Sequence, residues 1–514
     1  MTSTEQPASG GIVKWLAPMF SREALPYWAI FLVALAVRVT DQCFMSASAP
    51  TYGLLWPDSH VYDRWAREIA QTFWLGWDRI PFQHGPLYPY YLGMLYLRFE
   101  PGITTAAISQ RLLGALTVVM VFWLGRRVFG KQAGWFAGLG AAVCPLFLMY
   151  ESEILVETLV LFLQVAALCL FLKAAERKTW RWWAAAGATL GLCCLGRPNA
   201  LLLLPPLMFW SWLSAPAKGY RRALPAVVMT FAALLVIAPA PLLNYAVAGR
   251  FYLISATGGY NAYLGNAPDT QGIFLSTPSA IAIREEEGKP DEEIDWRRHL
   301  LSALRREPMA LPRALWLKTR LFWQSGEIPS GPNYYLQRPF SPLLWSPFRW
   351  GLIAPLGLLG MALAFMQRPP RRADDPRLLI TGWLFVFMTS IILVFVMGRL
   401  RLPALAILFL FAGHASAYML QCLLNAWRHV DERKRLWRVA ASLGMGLLVG
   451  LGLQTRDPAL LIGWNDHFNM GRAHEMRENW EEALEHYEQA ILLAPDIELL
   501  LEARNEARQR IQSR

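Results

Sequence analysis

Cysteine, histidine clusters and charge are all in short supply. The chain has six cysteines in 514 residues: Cys43, Cys144, Cys169, Cys193, Cys194 and Cys422. All lie in or beside apolar runs and none has metal-ligand spacing, so neither a disulfide framework nor a zinc site is indicated. They read as small core residues. The eight histidines do not gather as ligands. Charged residues are only 17% of the chain, too few for an ordinary soluble enzyme. No internal repeat spans the apolar region, which argues against a transporter or flippase built from repeated halves.

Apolar residues are what the chain has in excess. They make up 55% of it, with 13% aromatic and a positive mean hydropathy of +0.27. Windows near the ~20 apolar residues that cross a bilayer recur along it. The expected fold is therefore an all-α polytopic membrane protein of about eleven spans: 27–45, 103–125, 132–150, 154–172, 182–197, 199–214, 223–247, 347–366, 377–397, 402–425 and 437–454. Ala47-Ser48-Ala49 ends the first run in the manner of a signal peptide. Arg38 and Asp41 interrupt that run and its leader is long, so it is kept as a spanning helix.

The net charge of +11 does not call for nucleic acid, because the excess collects in alternate connections. One set holds Arg126, Arg127 and Lys131; Lys173, Arg177, Lys178 and Arg181; Lys218, Arg221 and Arg222; Arg368, Arg371, Arg372 and Arg377; and Arg428, Arg433, Lys434, Arg435 and Arg438. The positive-inside rule places that set in the cytoplasm with residues 1–26. The membrane domain then runs over 27–455, with outer loops 46–102 and 248–346 and an outer tail 456–514. The run GPLYPYYLGMLYLRF (85–99) must not span, and suits a helix lying at the interface. The implied setting is a bacterial inner membrane, multi-pass, with N-terminus inside and tail outside.

The tail carries Gly471, Ala483, Tyr487, Ala490 and Pro495 at the positions of a tetratricopeptide repeat, which is a small helical hairpin. From Trp464 onward it has 6 Arg against 11 acidic residues, as suits a water-exposed unit. A lone repeat cannot bury both faces and should lean on this chain or on a protein partner.

Several polar groups on the outer side stand out. Asp58 opens a helix with a Val61, Trp65, Ile69 and Phe73 stripe, with Asp63, Arg64, Arg67, Glu68 and Gln71 away from it. Read from residues alone, Asp58 serves as an N-cap or as a general base. Glu151, Glu153 and Glu157 lie in a short turn, close to hydrocarbon, where acids are costly unless paired or functional. Arg399 and Arg401 sit where topology does not favour positive charge. They fit either a phosphate or snorkelling. Arg197, Lys318 and His84 are further candidates.

In order, these elements resemble the membrane glycosyltransferases of the GT-C class, and within it the protein O-mannosyltransferase and lipid A aminoarabinose transferase group (family 39). PDSHVYDRWAREIA is similar to the start of that family's first outer loop. Asp58 falls on its catalytic acid and Tyr62 on its helix tyrosine, while Ser59 departs from a second acid. FQHGPLYPYYLG, with Gln83 and His84, resembles its His-Pro-Pro-Leu element. ESEILVETLVLF, LGRPNALLLLP and MGRLRLPALAIL match further elements. TGGYNAYLGNAPDTQGIF, with Asn261 and Asn266, resembles its most specific loop. The resemblance implies a polyprenyl-phosphate-linked sugar donor, inversion at the sugar carbon and an acceptor that is protein, lipid or glycan. Asp58 would be the base. Arg399, Arg401, His84 and Lys318 would hold the donor phosphate. Glu157, Glu153, Gln83, Tyr62, Asn261, Asn266 and Arg197 would support the substrates. No cofactor is required by such relatives. Class members that use an acidic pair in the second outer loop leave a divalent metal at Glu151 and Glu153 open. A scaffold recruiting envelope proteins through the tail is the remaining alternative.

Overall fold

The computed structural model describes residues 21–72, 80–215, 219–370, 372–426 and 462–513, with scattered positions between 433 and 448. The N-terminal segment to residue 20, Phe73 of the stripe, Lys218, Arg371, Arg428, Arg435, Arg438 and most of the expected span 437–454 lie outside the described residues. The described residues form helices and turns, without strands. In chain order these are α1 (Leu25–Ser48), α2 (Pro57–Thr72), α3 (Leu87–Tyr96), α4 (Ile103–Phe129), α5 (Lys131–Ala142), α6 (Pro145–Glu151), α7 (Glu157–Arg177), α8 (Trp180–Gly196), α9 (Leu204–Leu213), α10 (Leu224–Ile237) and α11 (Pro239–Ala248). Then come α12 (Gly258–Asn266), α13 (Pro278–Glu287), α14 (Trp296–Arg306), α15 (Ala310–Trp323), α16 (Tyr334–Gln337), α17 (Trp350–Gln367), α18 (Pro376–Ile392) and α19 (Leu402–Ala426). The tail is α20 (Trp464–Glu475), α21 (Trp480–Leu493) and α22 (Glu498–Gln512).

Among the described residues six helices are long and apolar enough to cross a membrane, or seven if the bent pair α5–α6 is one span. The protein is thus a multi-pass, all-helical membrane protein, and among the described residues several of the eleven expected spans are not single full-length helices. Prolines account for part of the difference. Pro198 starts a 3-10 turn over Pro198–Leu203, and α9 begins with Pro205 and Pro206 in its first turn. The expected span 199–214 is therefore two short pieces. A proline lacks the N–H that a continuous helix needs. Helix α18 is apolar but has only 17 residues. Helix α3, in the run expected at the interface, has 10 residues and packs on α2.

Arg38 and Asp41, read as interruptions of the first run, are fully buried. Arg38 Nη2 donates to Glu151 Oε1 at 2.8 Å, and Arg111 Nη2 to Asp41 Oδ2 at 3.0 Å. Ser341 Oγ donates to the other Asp41 oxygen at 2.6 Å, and Gln110 Nε2 reaches the carbonyls of Glu151 and Glu153. Buried charge is tolerated because each ion has a hydrogen-bonded partner. Gly114 makes the room: a Cβ there would lie 2.0 Å from Glu151 Oε1 and 2.8 Å from Arg38 Nε. This web ties α1, α4, the 151–153 turn and the segment after α16 into one end of the bundle.

The tail has three helices rather than a hairpin alone. Ala483, Tyr487 and Ala490 are buried, and Gly471 leaves space for the Tyr487 ring, which a Cβ would meet at 2.4 Å. Helix α22 covers the hairpin with Leu500 and Ala507. The unit also leans on the membrane domain: Asn333 Nδ2 donates to Asp466 Oδ2 at 3.1 Å.

Candidate active site

Helix α2 begins at Pro57, so Asp58 lies inside the first turn rather than before it. Pro is favoured at that position because its missing N–H is not needed there. The Asp58 carboxylate does not cap the helix; it accepts from Arg399 Nη2 at 2.7 Å. Asp63, placed by its spacing on a solvated face, is buried. It accepts from Tyr96 Oη at 2.7 Å and from Arg67 Nε at 2.7 Å. Packing of α3 on α2 supplies the tyrosine, which the α2 pattern alone does not reveal.

Five of the sequence-predicted residues form one chain, in which two carboxylates alternate with two guanidinium groups and His84 stands at one end. His84 Nε2 is 4.0 Å from Asp58 Oδ1. Arg399 bridges Asp58 and Glu157, its Nε 3.5 Å from Glu157 Oε1. Arg197 Nη2 also pairs with Glu157. Tyr62 is buried beside His84, with ring centres 5.5 Å apart. Burial alone would raise the Asp58 carboxyl, but Arg399, His84 and Arg197 outweigh it and hold it below its ordinary value. Burial is the largest influence on His84 and, with Arg197 and Arg399, holds it below its ordinary value against the opposing pull of Asp58 and Glu157. At neutral pH His84 is thus a neutral donor or acceptor rather than a cation. Burial raises Tyr62, which keeps its hydroxyl proton. Ser59, at the position where the resemblance implies a second acid, is buried, and its Oγ has no partner among the described residues.

The loop bearing His84 is held by contacts that the sequence reading did not single out. Asn244 Oδ1 accepts from Phe82 N at 2.9 Å, while its amide donates to the carbonyls of Tyr252 and Ile254. The Phe82 carbonyl accepts from Ala256 N, and that of Gln83 from Thr257 Oγ1. Gly85 presses this loop onto the end of α8, where a Cβ would meet the Leu195 and Gly196 carbonyls at 2.4 and 2.5 Å. The same contact brings His84 near Arg197, the next residue. The signal available for Asn244 was a lone amide in an apolar run.

Arg399 is delivered by the loop after α18. Lys318 and Asn266 do not join the charge chain; they brace this loop. Lys318 Nζ donates to Asn266 Oδ1 at 2.7 Å and to the Val394 carbonyl at 3.1 Å. Asn266 Nδ2 donates to the Leu393 carbonyl, and Val396 N to that of Gly272. Burial pushes Lys318 down to about 7. Asn261 is half-buried on α12.

Arg401 is also apart. It is 1% exposed, paired with Glu327 at 2.8 Å, and donates to the carbonyls of Phe322, Gln324 and Gly326. Its guanidinium lies 4.6 Å from the centre of the Trp350 ring. Glu151 belongs to the Arg38 pair, whereas Glu153 accepts from Trp56 Nε1 at 2.8 Å and Gln337 Nε2 at 3.1 Å. Burial raises Glu153 to about 8. Among the described residues no three His, Cys, Asp or Glu side chains gather as a metal-ligand set.

A cavity of about 430 Å³ opens beside Asp58 and Arg399. Leu155, Ile273, Phe274 and Leu321 give it apolar walls, the 328–331 segment a third side, and the start of α20 a fourth. Such a volume falls in the range of small-molecule sites.

A model of the dolichyl-phosphate-mannose-protein mannosyltransferase family matches residues 83–242, and a tetratricopeptide repeat model matches residues 464–497. The membrane part is thus similar to GT-C-class glycosyltransferases, and the tail to a tetratricopeptide repeat. No curated protein matches the chain. Among solved structures, the apo oligosaccharyltransferase of Archaeoglobus fulgidus is similar at 16% identity and a TM-score of 0.49, covering 86% of this chain and 56% of that one. ArnT from Cupriavidus metallidurans bound to undecaprenyl phosphate is similar at 16% identity and a TM-score of 0.45, covering 93% and 80%. The Archaeoglobus oligosaccharyltransferase AglB in complex with an inhibitory peptide and a dolichol-phosphate is similar at 16% identity and 0.49, covering 94% and 61%. The chain thus spans 56% and 61% of the length of those two oligosaccharyltransferases.

Proposed function

We propose that this protein transfers a sugar from a polyprenyl-phosphate donor to an acceptor at the outer face of a bacterial inner membrane, inverting the sugar carbon. The observation that carries the reading is the Asp58–Arg399 pair at 2.7 Å, at the side of a cavity. One member is a carboxylate suited to take a proton. The other is a guanidinium suited to hold a phosphate. The family match over residues 83–242 supports the class of donor.

In this reading the two members separate as the donor binds. The lipid phosphate takes Arg399, with Arg197 behind it across Glu157. Its negative charge offsets the arginine, and the Asp58 carboxyl rises toward its ordinary value. The carboxylate then accepts the proton of an acceptor hydroxyl or amine as that atom bonds to the sugar carbon. The bond from carbon to phosphate oxygen breaks, and the lipid phosphate departs with its charge on the arginines. Neutral His84 holds the outer oxygen of Asp58 or donates to the phosphate. Glu157 keeps both arginines aimed. Lys318 and Asn266 position Arg399 through its loop, and Arg401 and Glu327 hold the 322–328 segment behind it. A divalent metal is not required, because guanidinium groups meet the departing charge.

Purified protein in nanodiscs, given undecaprenyl-phosphate-linked sugars, is expected to release undecaprenyl phosphate, and Arg399→Gln is expected to abolish that release. If the wild type neither binds undecaprenyl phosphate nor turns over any such donor, the reading fails.

A further inference from the structure

We infer that the first tail helix is the acceptor wall of this site, and that Asn465 and Asn469 select which acceptor is used. The inference rests on the glycosyl-transfer reading and gives the tetratricopeptide unit a place in it. Asp58 and Arg399 line one side of the cavity; Gly463, Trp464, Asn465, Asp466 and Asn469 line another. The unit is therefore part of the site rather than a separate appendage.

Its placement is fixed by a buried contact. Asp466 is 5% exposed and Asn333 is 2% exposed. Asp466 Oδ2 accepts from Asn333 Nδ2 at 3.1 Å and from the backbone N–H of Gly463 at 2.8 Å, which also secures the helix start. Asn333 Oδ1 in turn accepts from Tyr335 N at 2.9 Å. A buried carboxylate needs such partners, and here they come from both units. Separating the tail would leave Asn333 and Asp466 without each other.

Why the acceptor rather than the donor? The donor's phosphate goes to Arg399 and its hydrocarbon must stay in the bilayer. The tail is acidic and water-facing, so its residues meet what arrives from water. The acceptor atom must come within ~3–3.5 Å of the sugar carbon, next to Asp58 and hence inside this cavity. Asn465 and Asn469 offer both donors and acceptors through neutral amides, and Trp464 adds an aromatic surface. Asp466, the acid on this wall, is already taken by Asn333 and Gly463. The wall therefore favours an acceptor that presents neutral hydroxyl or amide groups.

Two experiments on the full-length protein test this. With Cys43→Ser removing the exposed native thiol, the pair Asn333→Cys and Asp466→Cys is expected to link under oxidant or dibromobimane, giving a joined peptide by mass spectrometry. Absence of a link overturns the placement. Second, Asn465→Ala with Asn469→Ala is expected to leave undecaprenyl phosphate binding in nanodiscs within twofold of wild type. Transfer onto envelope acceptors in a complemented deletion strain is expected to fall at least tenfold, by mass spectrometry of envelope proteins and glycolipids. Undiminished transfer, or loss of lipid-phosphate binding alongside it, overturns the inference. Asp58→Asn is run in parallel. If it abolishes transfer while the double variant does not, only the wall assignment falls; if it retains full transfer, the glycosyl-transfer reading itself falls.

Discussion

Replacing Asp58 with Asn should separate two quantities that usually fall together. The side chain keeps its shape, and its amide oxygen can still accept from Arg399. Arg399 is also not orphaned, because Glu157 remains 3.5 Å away. Loss of the charge-assisted bond should cost folding only about 1–2 kcal/mol. Catalysis loses its base, which is worth roughly 10²–10⁴-fold, or about 3–5 kcal/mol of barrier. Binding of the lipid phosphate should move the other way. In the wild type the phosphate must approach Arg399 against the Asp58 charge. At ~6 Å and an effective dielectric of ~20, that repulsion is about 3 kcal/mol before screening. Asp58 is 28% exposed, so solvent screening reduces it to about 1 kcal/mol, or roughly fivefold in affinity. The variant should therefore bind undecaprenyl phosphate about fivefold more tightly while losing transfer. Titration in nanodiscs by native mass spectrometry reads the first, and donor turnover the second. Weaker binding by Asp58→Asn, or unchanged turnover, refutes the idea that Asp58 and the phosphate compete for Arg399.

The same competition sets pH behaviour. Asp58 is depressed in the free protein, so kcat/KM should hold as pH falls to the ordinary carboxylate value of 3.8 and be lost only below it; with phosphate on Arg399, the acid limb of kcat should lie higher, as paired pH–rate profiles would show. Lys318→Met should lower undecaprenyl phosphate affinity about tenfold with folding retained, since it frees the loop carrying Arg399 while removing a bond of about 1–2 kcal/mol; unchanged affinity would separate that loop from the site. Gly114→Ala, which gains up to ~1 kcal/mol in an exposed helix, should instead cost about 3–5 kcal/mol by forcing Arg38 and Glu151 apart, visible as lost thermal stability in detergent. Burial raises Asp466 to about 6. A raised acid stabilises docking fully below its free value and loses that contribution as pH rises through the folded one. Hydrogen exchange at the start of α20 should accordingly be slower at pH 5 than at pH 7, after correction for intrinsic rates.

The charge chain was legible residue by residue but not as a chain. Asp58, His84, Glu157, Arg197 and Arg399 each stood out as polar groups beside apolar runs. Their pairing did not, because Asp58 and Arg399 are 341 positions apart. Arg399 and Arg401 were indistinguishable on paper. The structure puts them in a 3-10 turn, Arg399–Arg401, where ~120° per residue aims positions i and i+2 in different directions. One therefore meets Asp58 and the other Glu327. Arg38 and Asp41 read as flaws in a span because their partners, Glu151, Arg111 and Ser341, lie elsewhere in the chain. The need for the tail to lean on something followed from its being one repeat. Where it leans did not, since Asn333 and Asp466 are ordinary surface types by composition.

The buried web at the site end also carries a schedule. Asp41 meets Arg111 70 positions later and Ser341 300 positions later. At roughly 5–20 residues per second of synthesis, the first partner arrives after about 4–14 s and the second after about 15–60 s. For much of a minute, then, α1 carries an acid into the membrane with its coordination incomplete. Arg38 likewise waits for Glu151, 113 positions on. Biogenesis of this protein thus contains a vulnerable interval whose length is set by gene order, and slowing translation between codons 41 and 341 should lengthen it without altering a single contact in the finished fold.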